Sequence, residues 1–322
     1  MQTHSRRAVL AGLAASLVPS LPAAAQDQTL RIVFSFSAGG SADGIARLIA
    51  DHLRNSLGRP VIVENIVGAG GRIGARAVKE AAPNGTKLLF ASNSQMTLQP
   101  HIDHDLGYDA FDDFIPVSQT VKSEIAFAVG GQSPLRSITE AIAWFRQNPA
   151  EALYGSPGIG TGPHVTGLEF ARLTGLDLRH APYKGTPAAL PDLLAGRIPL
   201  YIALSAELIA QHKSGAIRLL ATADTARSPF LPDVPTLRES GLAIDAPGWF
   251  GFYAPVGTPV DVLARLETEI IAATAASETH AKILAMGYQP TATSSAQLRQ
   301  IQREDFERWG RLVKASGFKA GQ

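Results

Sequence analysis

Three short apolar runs, separated by helical patterns, restrict this chain to an α/β architecture. Strands are expected over 30–34, 61–63 and 87–91. Between the first two, Ile45, Leu48, Ile49, Leu53 and Leu57 recur at helical spacing from a start near Ser41, and Gly58 stops the pattern. Between the second and third, an alanine-rich helix is expected over 73–82, closed by the turn Pro83-Asn84-Gly85. Strand, helix, strand, helix, strand at this spacing reads as parallel βαβ units. The theme continues, with strands expected over 125–129, 152–154, 198–203, 219–222 and 249–254. Helices are expected over 138–146, 165–173, 187–195, 260–277 and 296–315. Ser137 and Glu140 form a capping box at the start of the first of these. With 322 residues the chain has the length of about two domains.

Charge and composition narrow the chemistry. Twenty-nine Lys and Arg against 28 Asp and Glu leave no electrostatic footprint for nucleic acid. The absence of cysteine excludes a disulfide scaffold, a zinc ribbon, an iron–sulfur cluster and a thiol nucleophile. Residues 1–25 read as an address. Arg6-Arg7 precedes an apolar run, 8–21, too short to span a bilayer. Ala23-Ala24-Ala25 then offers small residues to a signal peptidase, so cleavage is expected after Ala25. The paired arginines resemble a twin-arginine export signal, although Val9 stands where Phe is commoner. The mature chain is expected in the periplasm, not embedded in the membrane, and a monomer.

Two places share one design, in which a strand ends, a loop rich in Gly, Ser and Thr turns, and a helix begins. They are 35–41 and 156–164. Backbone N–H groups at a helix start lack intrahelical partners, and the helix dipole adds partial positive charge there. Hydroxyls of Ser37, Ser41 and Thr161 add donors, so each loop is a candidate anion site. Two such termini hold a carboxylate usefully only where water is excluded, which favours a closing cleft.

Enzymatic alternatives have less support. No G-x-S-x-G elbow, Walker A loop, G-x-G-x-x-G fingerprint or H-E-x-x-H motif occurs. Gly68 to Gly74 approaches a dinucleotide loop but has Ile73 where the last glycine belongs, which favours helix packing. His101, Asp103, His104 and Asp105 have ligand chemistry but are expected in a polar, solvated loop, so no metal and no cofactor is assigned. His164 is the candidate general base of an alternative reading, an exported hydrolase or isomerase, yet no nucleophile or orienting acid accompanies it.

Several phrases together resemble one family. They include Phe36-Ser37-Ala38-Gly39-Gly40-Ser41-Ala42-Asp43, Val63-Glu64-Asn65 and Gly68-Ala69-Gly70-Gly71-Arg72-Ile73-Gly74. Farther along stand Gly158-Ile159-Gly160-Thr161-Gly162-Pro163-His164, Ala181-Pro182-Tyr183-Lys184-Gly185, Leu231-Pro232-Asp233-Val234-Pro235-Thr236 and Trp249-Phe250-Gly251. In this order, over about 29–317, the chain resembles the Bug (TctC-like) substrate-binding proteins of tripartite tricarboxylate transporters. The resemblance implies a type II periplasmic binding protein fold, two α/β domains with a ligand cleft between them. Domain one would comprise 26–124 plus 248–322 and domain two 125–247, with crossings near 124–129 and 245–251.

The resemblance also implies a small organic carboxylate ligand, a di- or tricarboxylate or an aromatic acid, passed to membrane transporter subunits or read by a sensor kinase. Carried over by position, Ser37, Ala38, Gly39, Gly40, Ser41 and Asp43 belong to the first ligand loop, with Asp43 positioning it. Gly160, Thr161, Gly162 and His164 belong to the second. Ser92 and Asn93 would line the cleft from the third strand, while Tyr183 and Trp249 would close it or pack. The chain departs from the family in having Ser37-Ala38 for Pro-Pro, no Gly-Thr after the third strand, and Ala203-Leu204 for Asp-Asn. Without the acid at Ala203, a carboxylate lacking an amino group is expected.

Overall fold

The computed structural model describes residues 29–103 and 105–316. The export segment with its cleavage site, and His104, lie outside the described residues. The chain runs β1 Leu30–Phe34, α1 Ser41–Leu57, β2 Val61–Asn65, α2 Arg72–Lys79, β3 Lys87–Ser92, a π-helical turn Ser94–Leu98 and α3 Gln99–Ile102. It continues through β4 Phe114–Gly130, α4 Ile138–Gln147, β5 Leu153–Ser156, α5 Gly162–Thr174, β6 Arg179–Pro182, α6 Thr186–Leu194 and β7 Leu200–Leu204. Then come α7 Ile209–Lys213, β8 Ile217–Thr222, β9 Pro247–Pro255, α8 Val260–Ala275, α9 Ser277–Ala285, β10 Gln289–Pro290 and α10 Ser295–Ser316.

Local signals explain most of these bounds. Helix α1 buries Ile45, Ile49 and Leu53 and ends at Gly58, whose φ of 64° is the left-handed cap that glycine adopts without strain. Helix α4 starts where Ser137 Oγ accepts the Glu140 N–H at 3.1 Å. The helix expected over 260–277 is interrupted, because Ala276 takes an extended conformation (ψ 130°) and a second helix begins.

The sheet is two parallel α/β units joined through antiparallel strands. Strand β1 pairs in parallel with β2 and β3, and β5 pairs in parallel with β6 and β7. Strand β4 serves both, pairing with β9 over Phe114–Glu124 and with β7 and β8 from Ile125 onward. The strand expected over 125–129 is thus the end of a 17-residue one. Past the short run Phe114-Ile115-Pro116-Val117 it carries Ser118, Gln119, Thr120, Ser123 and Glu124, all buried, so no apolar run announces residues 118–124.

Each unit has its own core. One gathers Ile32, Phe34, Ile45, Ile49, Phe90 and Phe252, the other Phe127, Phe145, Tyr154, Val165, Phe170 and Ile202. Helix α10 touches both sides, since Leu298 packs with Val33 and Tyr253 while Trp309 joins the core of Phe127.

Candidate functional site

The first glycine loop links β1 to α1. Gly39 has φ 90° and donates its N–H to Asp43 Oδ2 at 3.1 Å. Asp43 also accepts from Arg47 Nε at 2.8 Å and Asn65 Nδ2 at 2.9 Å. Burial alone would raise its pKa, but these hydrogen bonds hold it below the ordinary carboxylate range.

The second loop links β5 to α5. Thr161 caps α5, its Oγ1 accepting the His164 N–H at 3.4 Å and donating to the Gly158 carbonyl at 2.8 Å. Gly160 N–H donates to His164 Nδ1 at 3.1 Å, and Gly162 N–H donates to Ser94 Oγ at 2.8 Å. The His164 ring stacks on His180 with centroids 3.9 Å apart, and His180 Nε2 lies 2.7 Å from Ser156 Oγ. Burial lowers the pKa of His164 to about 4, and burial with its partner's charge lowers that of His180 to about 3, so both rings are neutral at pH 7.

The two loops meet. Ser37 donates its N–H to the Lys184 carbonyl at 3.2 Å, and its hydroxyl reaches the same oxygen. Glycine is required at a neighbouring contact: Gly70 has φ 63°, and a Cβ there would stand 2.1 Å from the Ile159 carbonyl oxygen. Beyond β7, the turn Ser205–Glu207 docks onto the start of α1. Ser41 Oγ donates to the Ala206 carbonyl at 3.0 Å, while Glu207 Oε1 accepts from Ala42 N–H at 2.9 Å and from Tyr288 O–H at 3.0 Å.

Between the loops lies a cavity of about 600 Å³, counted out to its mouth. Its wall is largely apolar, with Phe34, Phe36, Ile125, Leu204 and Phe250, and the polar side chains are those of Ser37, Ser92, Asn93, Ser94, Thr161 and Thr186. Among the described residues Glu207 is the only charged side chain in this wall. Burial raises the pKa of its carboxyl, opposed by the hydrogen bonds it accepts from Ala42, Tyr288 and Ser41. Helix α6 also starts here, with Gly185, Thr186 and Pro187 in the wall and no side-chain cap on its first turn.

Of the residues singled out by sequence, Ser37, Gly40, Ser92, Asn93, Thr161 and Gly162 line the cavity. Ala38 and Gly39 are exposed, while Ser41 and Asp43 stand behind the first loop and Gly160 behind the second. Four positions lie elsewhere. Ala203 is fully buried with Ala126, Leu208 and Leu219 in the core behind β7, because alternate strand residues face opposite sides and it is Leu204 that faces the cavity. His164 is buried under its own loop against His180. Trp249 donates Nε1–H to Asp305 Oδ2 at 3.1 Å and faces a separate polar cleft. Tyr183 donates its hydroxyl to Asp192 at 2.7 Å.

Around residue 101, where no metal is assigned, His101 and Asp103 turn to separate partners. His101 lies within α3, its Nε2 is 2.7 Å from the Phe306 carbonyl oxygen and its ring packs on Phe306, while Asp103 pairs with Arg72. Glu207, Thr186, Phe36 and Phe250 were not foreseen. The one legible sign of Glu207 is a lone acid inside the apolar stretch 198–210.

This geometry is that of a binding-protein cleft, and comparison with known proteins agrees. Residues 45–318 match the tripartite tricarboxylate transporter family receptor, TctC. The chain belongs to that family. Among solved structures it is similar to the periplasmic binding protein BugD, at 29% identity and TM-score 0.86 over 91% of this chain and 98% of that one. It is similar to Rpa4515 of R. palustris with adipate, at 28% identity and TM-score 0.86, covering 91% and 98% of the two chains. MatC from Rhodopseudomonas palustris with bound malate follows at 28% identity and TM-score 0.84, covering 88% and 98%. These neighbours are two-domain α/β binding proteins, the class to which this fold and cavity belong. No helix among the described residues is long and apolar enough to cross a membrane.

Proposed function

We infer that this chain is an exported binding protein that captures a small organic carboxylate, without catalysis, for delivery to a tripartite tricarboxylate-type transporter. The observation that carries the reading is the cavity shared by two glycine loops, from the β1–α1 and β5–α5 connections, in a chain of this family. Residues 26–124 with 248–322 form one lobe and 125–247 the other, and the ligand favours the closed arrangement because only there do both loops reach it. Residues 1–25 direct the chain to the periplasm and are removed after Ala25. The bound adipate and malate of the two R. palustris neighbours support the carboxylate class. Because His164 is buried, neutral and stacked on His180, it supplies no base to the cavity.

A thermal-shift panel of organic acids tests this reading. A ligand present at 100 times its dissociation constant adds about 2.7 kcal/mol of stability, a shift of several degrees. The reading fails if no acid in a panel of mono-, di-, tri- and aromatic carboxylates raises the melting temperature.

A further inference from the structure

We propose that Glu207 selects for ligands with a single carboxylate and an apolar body, by occupying from across the cleft the place a second ligand carboxylate would take. This rests on the carboxylate reading above and specifies its substrate class. The carboxylate of Glu207 reaches from the turn after β7 to the start of α1, where Oε1 accepts from Ala42 N–H at 2.9 Å and from Tyr288 O–H at 3.0 Å. Its other oxygen stands beside Gly40, 2.7 Å from where a Cβ on that residue would lie. The donors and dipole at the N-terminus of this 17-residue helix are thereby engaged by the protein itself.

A dicarboxylate bound in the cavity would set its second charge near Glu207. No Lys, Arg or His lines the wall, among the described residues, to offset the repulsion. The body of the ligand would meet Phe34, Phe36, Phe250, Ile125 and Leu204, which reward an apolar chain or ring. One carboxylate can still be served at the other end. Ser94 Oγ accepts from Gly162 N–H at 2.8 Å and Thr186 Oγ1 accepts from Tyr201 O–H at 3.3 Å, leaving each hydroxyl its own proton to donate. The neighbours holding adipate and malate carry dicarboxylates, so this chain differs from them in ligand charge.

Calorimetric titration at pH 7.5 compares hexanoate, adipate and 6-aminohexanoate, which differ at one end, and benzoate against terephthalate. The mature wild-type protein is expected to bind at least one monocarboxylate tenfold or more tighter than its dicarboxylate counterpart. Glu207→Ser, which clears the start of α1, should lower that ratio at least tenfold, and Glu207→Gln, which removes only the charge, should lower it in part. Wild-type preference for adipate or terephthalate overturns the proposal even if neither variant folds, and leaves the carboxylate reading standing. Tenfold tighter binding of 6-aminohexanoate than hexanoate also overturns it, since Glu207 would then be a counter-ion. An unchanged ratio in folded Glu207→Ser does the same. Failure of every acid, in the wild type and both variants, refutes the carboxylate reading itself.

Discussion

The two glycine loops look alike in sequence but satisfy their helix starts in different ways. The start of α5 is capped by its own Thr161 and by Ser94 Oγ, which takes the Gly162 N–H. The start of α1 has no side-chain cap from its preceding residue, Gly40, and is met by Glu207, 165 residues away from Ala42. One terminus is closed mainly by nearby sequence and the other only by tertiary structure. A Gly-rich loop before a helix is therefore an opportunity for an anion, and what fills it depends on what the fold carries to it.

Three perturbations bear on this difference. The largest effect is expected from Gly70→Ala, which places a methyl on the Ile159 carbonyl at a left-handed backbone position. A loss of about 3 kcal/mol in urea unfolding is expected; a change below about 1 kcal/mol would mean that the second loop is free to move away.

Acid should act on the two loops with opposite signs. His164 and His180 have folded pKa values depressed to about 4 and about 3. The stability they confer is complete above the unfolded value of about 6.5 and is lost as pH falls toward those folded values. Glu207 has its pKa raised by burial, so its contribution is complete below the ordinary carboxylate value and lost as pH rises through the folded one. Between pH 6.5 and 4.5 the wild type should lose about 2 kcal/mol more than His180→Gln, measured by urea unfolding at each pH. Parallel pH profiles for the two proteins would remove the histidine pair as the cause.

The smallest effect should come from Thr161→Ala, which deletes a local cap at a cost of about 1 kcal/mol. The same unfolding measurement checks it, and a cost above about 3 kcal/mol would show that Thr161 ties the second loop to more than its own helix.

Much of the scaffold was legible. Strands β1, β3 and β5, helices α1, α4 and α6, and the two glycine loops before α1 and α5 follow from periodicity and turn residues, because those signals lie within a dozen neighbouring residues. The first part of β4 was not. Ser118, Gln119 and Thr120 are buried polar residues whose partners are on β9 and around Thr291 and Thr293, more than 100 residues away. The wall of the cavity was legible in outline, through Ser37, Gly40, Ser92, Asn93, Thr161 and Gly162. His164 and Trp249 misled because a chemically able side chain beside a loop can turn inward as readily as outward, and here stacking on His180 and a bond to Asp305 decided the matter.

What the amino-acid order determined by itself is the alternation of strands and helices, the glycines that let two loops turn tightly, and the absence of thiol chemistry. What only the tertiary structure decided is the character of the space between those loops: mostly apolar, with one acid. Local order dictates backbone conformation through sterics and periodicity. The polarity of a cavity depends on which faces distant segments present to it, and Leu204 and Glu207 acquire their roles only when β7 is laid against β4 and the turn after it reaches α1.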